Sequence, residues 1–283
     1  KKKIKLEQII SYFETIPPLH RSLILVGGIT FFWILEYILP LFKLSYHKGK
    51  HAGVNIFFTL TTILVNFPLA FLLLYTSDWT AANSFGLLYW LPTMPLWLEV
   101  FVAVLFLDLI GAWLAHFTEH KVMVLWGFHL VHHTDMEVDT TSANRHHPLE
   151  SVVRFLFTCL AIFVVGAPVA YIMLYQGLSV VFSQFNHANI KLPAKADALL
   201  SWLIVSPNMH KIHHHYKLPY TDSNYGNIFS VWDRLFGTFS TMPVDQIVYG
   251  VDTYPDPEAN KSLKALLKIP FNGYRKPTIP GEQ

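Results

Sequence analysis

Long apolar runs recur along this 283-residue chain and restrict its possible folds more than any other feature. A helix needs about 20 apolar residues to cross the hydrocarbon core of a bilayer, where only helices and closed barrels satisfy their backbone hydrogen bonds. Only 14% of the residues are charged, against about 25% in soluble domains. The chain is therefore predicted to be an all-α integral membrane protein with four to five transmembrane helices. The runs are residues 22–42, 54–75, 96–115, 152–175 and a shorter fifth, 178–190.

The fourth and fifth runs are separated by Gln176 and Gly177, which predicts a tight hairpin at that point. The distribution of basic residues predicts the orientation. Lys43, Lys48 and Lys50 lie between the first two runs, whereas residues 76–95 contain no Lys or Arg. Cytoplasmic loops are enriched in these residues. The first loop is therefore predicted to be cytoplasmic, and a histidine-rich helical cap is expected on the same side.

The chain is predicted to divide into three parts. Residues 1–20 begin with four lysines among the first five residues, followed by periodic apolar residues, which predicts an amphipathic segment on the membrane surface. Pro17 and Pro18 are expected to end its helix. A count of five spans would place these lysines on the outer side of the membrane, against the enrichment of basic residues in cytoplasmic segments. Either this segment only lies on the membrane surface, or one early run does not span. Residues 21–240 form the predicted membrane-embedded domain, and 241–283 an irregular cytoplasmic tail with one short helix near 261–268.

Histidine clusters are the strongest functional signal. Twelve of the fifteen histidines lie between His116 and His215. Residues three and four apart share one face of a helix, so clustered imidazoles can surround metal ions. Structural zinc sites close at four ligands, and a larger set favours two metals. The predicted ligands are His116, His120, His129, His132, His133, His210, His213 and His214, with His187 as a ninth candidate in the fifth run.

Other polar residues near these clusters are candidates for supporting roles. Metal-bound histidines usually donate their second N–H to a carboxylate or carbonyl. The candidate carboxylates are Glu119, Asp135, Glu137, Asp139, Glu150, Asp222 and Asp233. Asp108, in the third apolar run, and His147, in Arg145-His-His-Pro148, are predicted catalytic residues; the alternatives are a neutral buried acid and a helix cap. His20, His47, His51 and His215 are expected to lie outside the site. Net charge is only +2, so no nucleic-acid partner is expected.

The motif order resembles the fatty acid hydroxylase/sterol desaturase superfamily. It comprises His-x-x-x-His from His116, His-x-x-His-His from His129, Arg-x-His-Pro-x-Glu from Arg145 and His-x-x-His-His from His210. The segment 224–239 agrees as well, and the likeness covers about residues 96–240. The chain is most similar to bacterial members and to the alkylglycerol monooxygenase branch. The resemblance implies that the eight clustered histidines bind two irons, and it matches His187 to a further family histidine. Ser183 stands where some hydroxylases have another histidine.

The function expected from this resemblance is a membrane non-haem di-iron oxygenase that hydroxylates a lipid or sterol-like substrate with O2. It would need an external electron donor, hence an electron-transfer partner, and zinc can replace the iron in purified protein. A desaturase with the same site and an enzyme that cleaves a lipid ether or aldehyde remain alternatives. A haem-binding or non-catalytic metal-binding membrane protein is a remote one. The expected location is the cytoplasmic membrane of a bacterium or the endoplasmic reticulum of a eukaryote.

Overall fold

The computed structural model describes residues 5–43, 45–254 and 262–274, and within these ranges regular structure is helical. Extended segments pair there only through isolated bridges, such as Ile204 with Phe229. The all-α prediction is confirmed. The α-helices are α1 (Leu6–Glu14), α2 (Pro18–Ile38), α3 (Lys48–Ala82), α4 (Leu87–Trp90), α5 (Leu96–Asp108), α6 (Ala115–Lys121), α7 (Met123–His133), α8 (Pro148–Val165), α9 (Val169–His187), α10 (Ala194–Leu200), α11 (Pro207–His213), α12 (Val231–Leu235) and α13 (Leu263–Lys268).

Four stretches of the described chain are helical, long and apolar enough to cross a membrane: Pro18–Ile38, Lys48–Trp90, Leu96–Lys121 and Pro148–Val165. Their outer surfaces are apolar. On α3, the side chains of Leu64, Phe67 and Phe71 are 72%, 74% and 72% exposed, and their spacing places them on one helical face. An exposed apolar stripe of this kind suits lipid rather than water. Four such stretches correspond to the lower end of the predicted range of four to five spans.

The third spanning stretch contains a π-helix, Leu109–Leu114, which joins α5 to α6. A π segment widens the helix locally, and such segments occur frequently at functional sites. It lies between Asp108 and His116, two of the predicted site residues. The π segment therefore changes the direction in which the residues of α6 point relative to those of α5.

The turn between α8 and α9 lies earlier than the predicted hairpin. Gly166 adopts a left-handed conformation with φ of +71°, and Pro168 directly precedes α9. Glycine accommodates that conformation at a helix end without strain, and proline is tolerated at a helix start. Gln176 and Gly177 instead lie inside α9. The predicted hairpin position is wrong because apolar residues flank the true turn, so hydropathy does not reveal it.

The proline pair near the amino terminus also differs from its prediction. Helix α1 already ends at Glu14, and Pro18 is the first residue of α2. The pair therefore begins a helix rather than ending one, since a missing N–H costs nothing in the first turn. Residues 1–4 of the predicted amphipathic segment lie outside the described residues.

Part of the tail packs against the helix that carries the second histidine cluster. The short helix predicted near residues 261–268 is observed as α13. Leu266 and Ile269 are completely buried and pack in one cluster with Trp126 and Leu130 of α7. Residues 255–261 and 275–283 of the predicted tail lie outside the described residues. The described part of the tail thus supports α7 from its outer side.

Candidate metal centre

Ends of several helices meet at one end of the bundle and bring nine histidines together. Helix α6 continues the third spanning stretch, α7 follows it at once, and α9 ends at His187. Helix α11 begins at Pro207, where the Ser206 side chain accepts from the Met209 amide, a standard amino-terminal cap. These ends place histidines from four helices within reach of one another. All nine are buried: His116, His120, His129, His132, His133, His187, His210, His213 and His214.

The nine histidines form two groups. The first, called here the five-histidine group, comprises His116, His120, His129, His133 and His213, with one ring nitrogen of each within 4.8 Å of the others. Nε2 of His129 lies 3.1 Å from Nε2 of His116 and 3.1 Å from Nε2 of His133. A set of five imidazoles around one point can hold a metal ion.

The second, called here the four-histidine group, comprises His132, His187, His210 and His214. Nε2 of His187 lies 3.1 Å from Nε2 of His132, 3.0 Å from that of His210 and 3.2 Å from that of His214. His187, predicted as a ninth candidate ligand, is therefore at the centre of this group.

The division of the histidines into two groups follows from helix geometry, and it was not predicted from the sequence. In each His-x-x-His-His motif the first and last histidines are four residues apart and share one group, as His129 and His133 do. The middle histidine points about 100° away from the last and joins the other group. Hence His132 enters the four-histidine group and His213 enters the five-histidine group. Each motif therefore contributes to both groups and holds them side by side.

Hydrogen bonds on the outer ring nitrogens indicate which atoms face inward. Nδ1 of His116 lies 2.9 Å from the carbonyl oxygen of Tyr225, and Nδ1 of His213 lies 2.7 Å from that of Ser223. Carbonyl oxygens only accept, so these Nδ1 atoms carry the proton, and each neutral ring presents a lone pair at Nε2. Nδ1 of His129 likewise donates to Glu150, 2.7 Å away.

The inward lone pairs test whether a metal fits. Nε2 of His116 and of His129 face each other at 3.1 Å, and neither neutral ring has a proton there to share. In the four-histidine group, His187 Nδ1 donates to the carbonyl of Ser183 at 2.7 Å, so its Nε2 presents a lone pair to three other imidazoles. Opposed lone pairs at this distance repel unless a cation lies between them. The donor set thus fits a metal ion in each group.

Burial favours the neutral, metal-binding form of the imidazoles. It lowers the pKa of His129, His132, His133, His210 and His214 well below the usual value, and neighbouring imidazoles lower it further. The charged form of a buried histidine loses its hydration. These side chains therefore offer lone pairs at neutral pH.

Three of the candidate carboxylates contact the five-histidine group or its supports. Asp222 lies 3.2 Å from Nδ1 of His120, and Glu150 accepts from His129. Glu119 lies 3.8 Å from His129 and pairs with Arg154 at 2.7 Å. Asp233 contacts the five-histidine group only indirectly. It accepts from the Tyr225 amide at 2.8 Å, and the Tyr225 carbonyl accepts from His116. Among the other candidates, Glu137 makes no bond to either group.

Asp135 and Asp139 are held by His51, a residue to which sequence analysis assigned no role. Its Nε2 lies 2.9 Å from Asp135 and its Nδ1 lies 3.2 Å from Asp139. Arg145, fully buried, donates to the carbonyl of Val131 at 3.0 Å. These contacts fix the segment after His133 to α3. A histidine and an asparagine four residues apart in an apolar helix, His51 and Asn55, were the available sequence signal.

His146 is a second residue near the site whose role was not predicted from the sequence. Its ring stacks on that of His132, with centroids 4.9 Å apart, and its Nδ1 lies 2.7 Å from Glu150. With His129 and Glu150 it forms a third cluster of potential ligand atoms. Glu150 therefore connects His146 to the five-histidine group.

The two predicted catalytic residues lie outside both histidine groups. Asp108 is completely buried, and its carboxylate accepts from the amides of Ile228 at 3.2 Å and Phe229 at 3.1 Å. His147 caps α8: its Nδ1 accepts from the Leu149 amide at 3.2 Å, and its Nε2 lies 3.3 Å from the carbonyl of Leu267. A catalytic role for either remains a prediction.

His215 lies apart from the nine, as expected from its helical phase. Its Nδ1 accepts from the Val248 amide at 3.1 Å, and it belongs to neither histidine group.

Comparisons with known proteins agree with this arrangement. Residues 100–238 match the fatty acid hydroxylase family. The chain is 24% identical over 275 residues to the ornithine lipid hydroxylase OlsE of Rhizobium tropici, covering 97% of this chain and 76% of that protein. It is 25% identical over 160 residues to the human alkylglycerol monooxygenase, covering 56% of this chain and 33% of that protein. The Caenorhabditis elegans alkylglycerol monooxygenase is 26% identical over 145 residues, covering 50% of this chain and 27% of that protein.

The chain thus spans most of the bacterial relative but about a third of the human alkylglycerol monooxygenase. No solved structure matches the chain significantly. The matched region runs from α5 to the segment after α12 and contains all nine buried histidines. Residues 100–238, about half of the chain, are therefore similar to the fatty acid hydroxylase family, as the order of the histidine motifs predicted.

Proposed function

We propose that this protein is an integral-membrane, non-haem di-iron oxygenase that hydroxylates a C–H bond of a lipid. The observation that carries the proposal is the pair of adjacent, buried imidazole groups with converging Nε2 atoms. Its relatives include proteins named as a lipid hydroxylase and as alkylglycerol monooxygenases. The spanning helices supply contact with the membrane in which a lipid substrate resides.

The donor set supports iron as the metal. It consists of imidazole nitrogens without a cysteine, and imidazole suits iron, zinc, copper and nickel. Zinc has no redox chemistry, so a monooxygenase needs one of the others. A bound iron pair would supply the activation of O2 and the oxidation of the substrate, which protein side chains cannot perform. The electrons would come from a partner protein.

The protein's own residues hold and orient these ions. His116, His120, His129, His133 and His213 would bind one iron, and His132, His187, His210 and His214 the other. Their burial at the end of the bundle excludes water, and hydrogen bonds on the outer nitrogens keep the Nε2 lone pairs directed inward.

We infer that Asp108 and His147 act on the site through other residues. Asp108 holds the amides of Ile228 and Phe229, in the segment that begins with Tyr225, whose carbonyl accepts from His116. His147 begins the helix that carries Glu150, and its own amide donates to that carboxylate at 3.3 Å. Glu150 in turn accepts from His129. Both residues therefore position ligands rather than touch substrate.

Isotope labelling of membrane lipids tests the proposed reaction. Cells expressing the protein, or its His210→Ala variant, are grown under ¹⁸O2, and their lipids are compared by mass spectrometry. A hydroxylase produces a lipid that gains one ¹⁸O atom only with the unaltered protein. A product that lacks two hydrogens and carries no ¹⁸O would identify a desaturase. Identical lipids in both strains, with the protein present and iron-loaded, would contradict both.

A further inference from the structure

We propose that the two histidine groups bind their metal ions unequally: the five-histidine group retains its ion, and the four-histidine group releases its ion first. This inference rests on the part of the proposed function that assigns one ion to each group. It concerns the residues behind the ligands, which differ between the groups, and it does not depend on which substrate is oxidised.

The five-histidine group is supported from behind at four of its five rings. Nδ1 of His116 and of His213 donate to backbone carbonyl oxygens, at 2.9 and 2.7 Å. Nδ1 of His120 and of His129 bond carboxylates instead, at 3.2 Å to Asp222 and 2.7 Å to Glu150. His133 is the exception, since its Nδ1 has no partner among the described residues.

The four-histidine group has much less support. Only His187 donates from Nδ1, to the carbonyl oxygen of Ser183 at 2.7 Å. The Nδ1 atoms of His132, His210 and His214 are buried and have no hydrogen-bond partner among the described residues. No carboxylate of the described chain bonds a ring nitrogen of this group.

This difference affects metal affinity in three ways. A carboxylate behind a histidine makes the ligand more basic and fixes its tautomer and orientation. Among the described residues, Glu119 and Glu150 share a single cation, Arg154, so a net negative charge also remains there to offset the charge of the ion in a medium of low dielectric constant. A metal on Nε2, finally, forces the proton onto Nδ1. In the four-histidine group three such N–H donors would be buried without a protein acceptor, which opposes binding.

The number of ligands acts in the same direction. Five imidazoles would surround one ion and four the other. Fewer protein ligands leave more coordination positions for small molecules, as in catalytic rather than structural metal sites. A chelator therefore gains access to the ion of the four-histidine group more easily.

Timed metal removal tests the inference. Purified protein in detergent is loaded with ⁵⁷Fe(II) and then exposed to an excess of ferrozine without oxygen, and the released iron is followed by absorbance. Two phases of about one equivalent each are expected. The His210→Ala variant should lack the fast phase and keep the slow one. A single phase releasing both equivalents at one rate would overturn the inference.

Variants of the carboxylates identify which ion is slow. Asp222→Asn and Glu150→Gln should accelerate the slow phase by about 10- to 100-fold, the usual effect of losing an outer partner, and leave the fast phase unchanged. Mössbauer spectra of the loaded protein should show two iron signals, of which only the slow-phase signal changes in Asp222→Asn. Glu99→Gln is the matched control, because Glu99 bonds Tyr171, distant from the histidines. Acceleration of the fast phase by Asp222→Asn would contradict the assignment.

The two proposals fail in different ways. Biphasic release from a protein that incorporates no ¹⁸O into lipids would leave the unequal sites standing and remove the oxygenase. Binding of fewer than two ions to fully folded protein would overturn the unequal pair itself.

Discussion

At the scale of the residue, adjacent histidines face different imidazole groups. His132 and His133 are neighbours in sequence but belong to different groups, as do His213 and His214. His215, one position later, belongs to neither and accepts from the Val248 amide. A consecutive pair of histidines can therefore contribute one imidazole to each group, because successive side chains on a helix point about 100° apart.

Substitution of neighbouring histidines should distinguish predicted metal ligands from histidines outside the site. His132→Ala removes one of four ligands, so bound iron should fall from about two to about one equivalent and turnover by more than about 100-fold. His215→Ala should keep both ions and nearly full activity. Metal analysis and lipid turnover of the purified variants provide the measurement. Two ions retained by His132→Ala would remove that residue from the ligand set.

Asp108 should prove sensitive to the loss of one acceptor oxygen. Its two carboxylate oxygens accept from the amides of Ile228 and Phe229. In Asp108→Asn an NH2 group faces one of these N–H donors, which should destabilise the fold by about 1–3 kcal/mol. Thermal unfolding in detergent measures this, with exposed Asp245→Asn as the control. Equal midpoints for both variants would contradict the positioning role.

At the scale of the element, the helix ends decide where the ligands point. The π-helix Leu109–Leu114 changes the direction of α6, and the turn at Gly166 lets α9 run back against α2 and α5 until His187 reaches the other histidines. A one-residue change in either feature would rotate the following helix. These local irregularities, rather than the regular helical turns, set the geometry of the centre.

Alanine at Gly166 tests the turn between α8 and α9. A Cβ there would lie 2.5 Å from the carbonyl oxygen of Phe85, and the φ of +71° disfavours any residue with a Cβ. Gly166→Ala should therefore lower stability by about 1–3 kcal/mol. Gly27→Ala is the control: it lies within α2 with no atom within 4 Å of the added carbon, so it should be neutral or stabilising. Thermal unfolding of the two variants gives the comparison, and an unaltered Gly166→Ala protein would refute the argument.

At the scale of the whole molecule, the spanning helices present lipid-facing apolar surfaces and collect the polar site at one end. The side of the membrane on which that end lies is predicted from the lysines between the first two runs and their absence from residues 76–95. The cytoplasmic side would give the site access to a soluble electron donor.

Cysteine labelling should establish this orientation. The only cysteine, Cys159, is buried, and Cys159→Ala supplies the background. Thr93→Cys, exposed at the end away from the histidines, should react with a membrane-impermeant maleimide on intact cells. Thr241→Cys, exposed beyond the histidine motifs, should react only after the cells are opened. The reverse pattern would place the metal centre on the outer side.

The stability of the metal-free protein should depend on pH between about 7 and 5. Burial lowers the pKa of His129, His132, His133, His210 and His214 in the folded state, whereas in the unfolded chain it is about 6.5. Below about 6.5 the unfolded chain takes up protons that the folded protein does not, so the free energy of unfolding falls as pH falls. Thermal midpoints of iron-free protein should decline over this window. A constant midpoint from pH 7.5 to 5 would show that these imidazoles are not held neutral.

The sequence by itself determined the helical membrane class and the identity of the clustered histidines, because apolar run length and helical spacing are local properties. His187 was accessible as an ionisable residue in an apolar run. Only the tertiary structure decided how the nine divide into five and four, since that depends on where α9 and α11 meet α6 and α7. It also decided the turn at Gly166, because a backbone conformation inside an apolar run leaves no periodic pattern in the sequence. The same holds for His51, whose contact with Asp135 joins residues 84 positions apart.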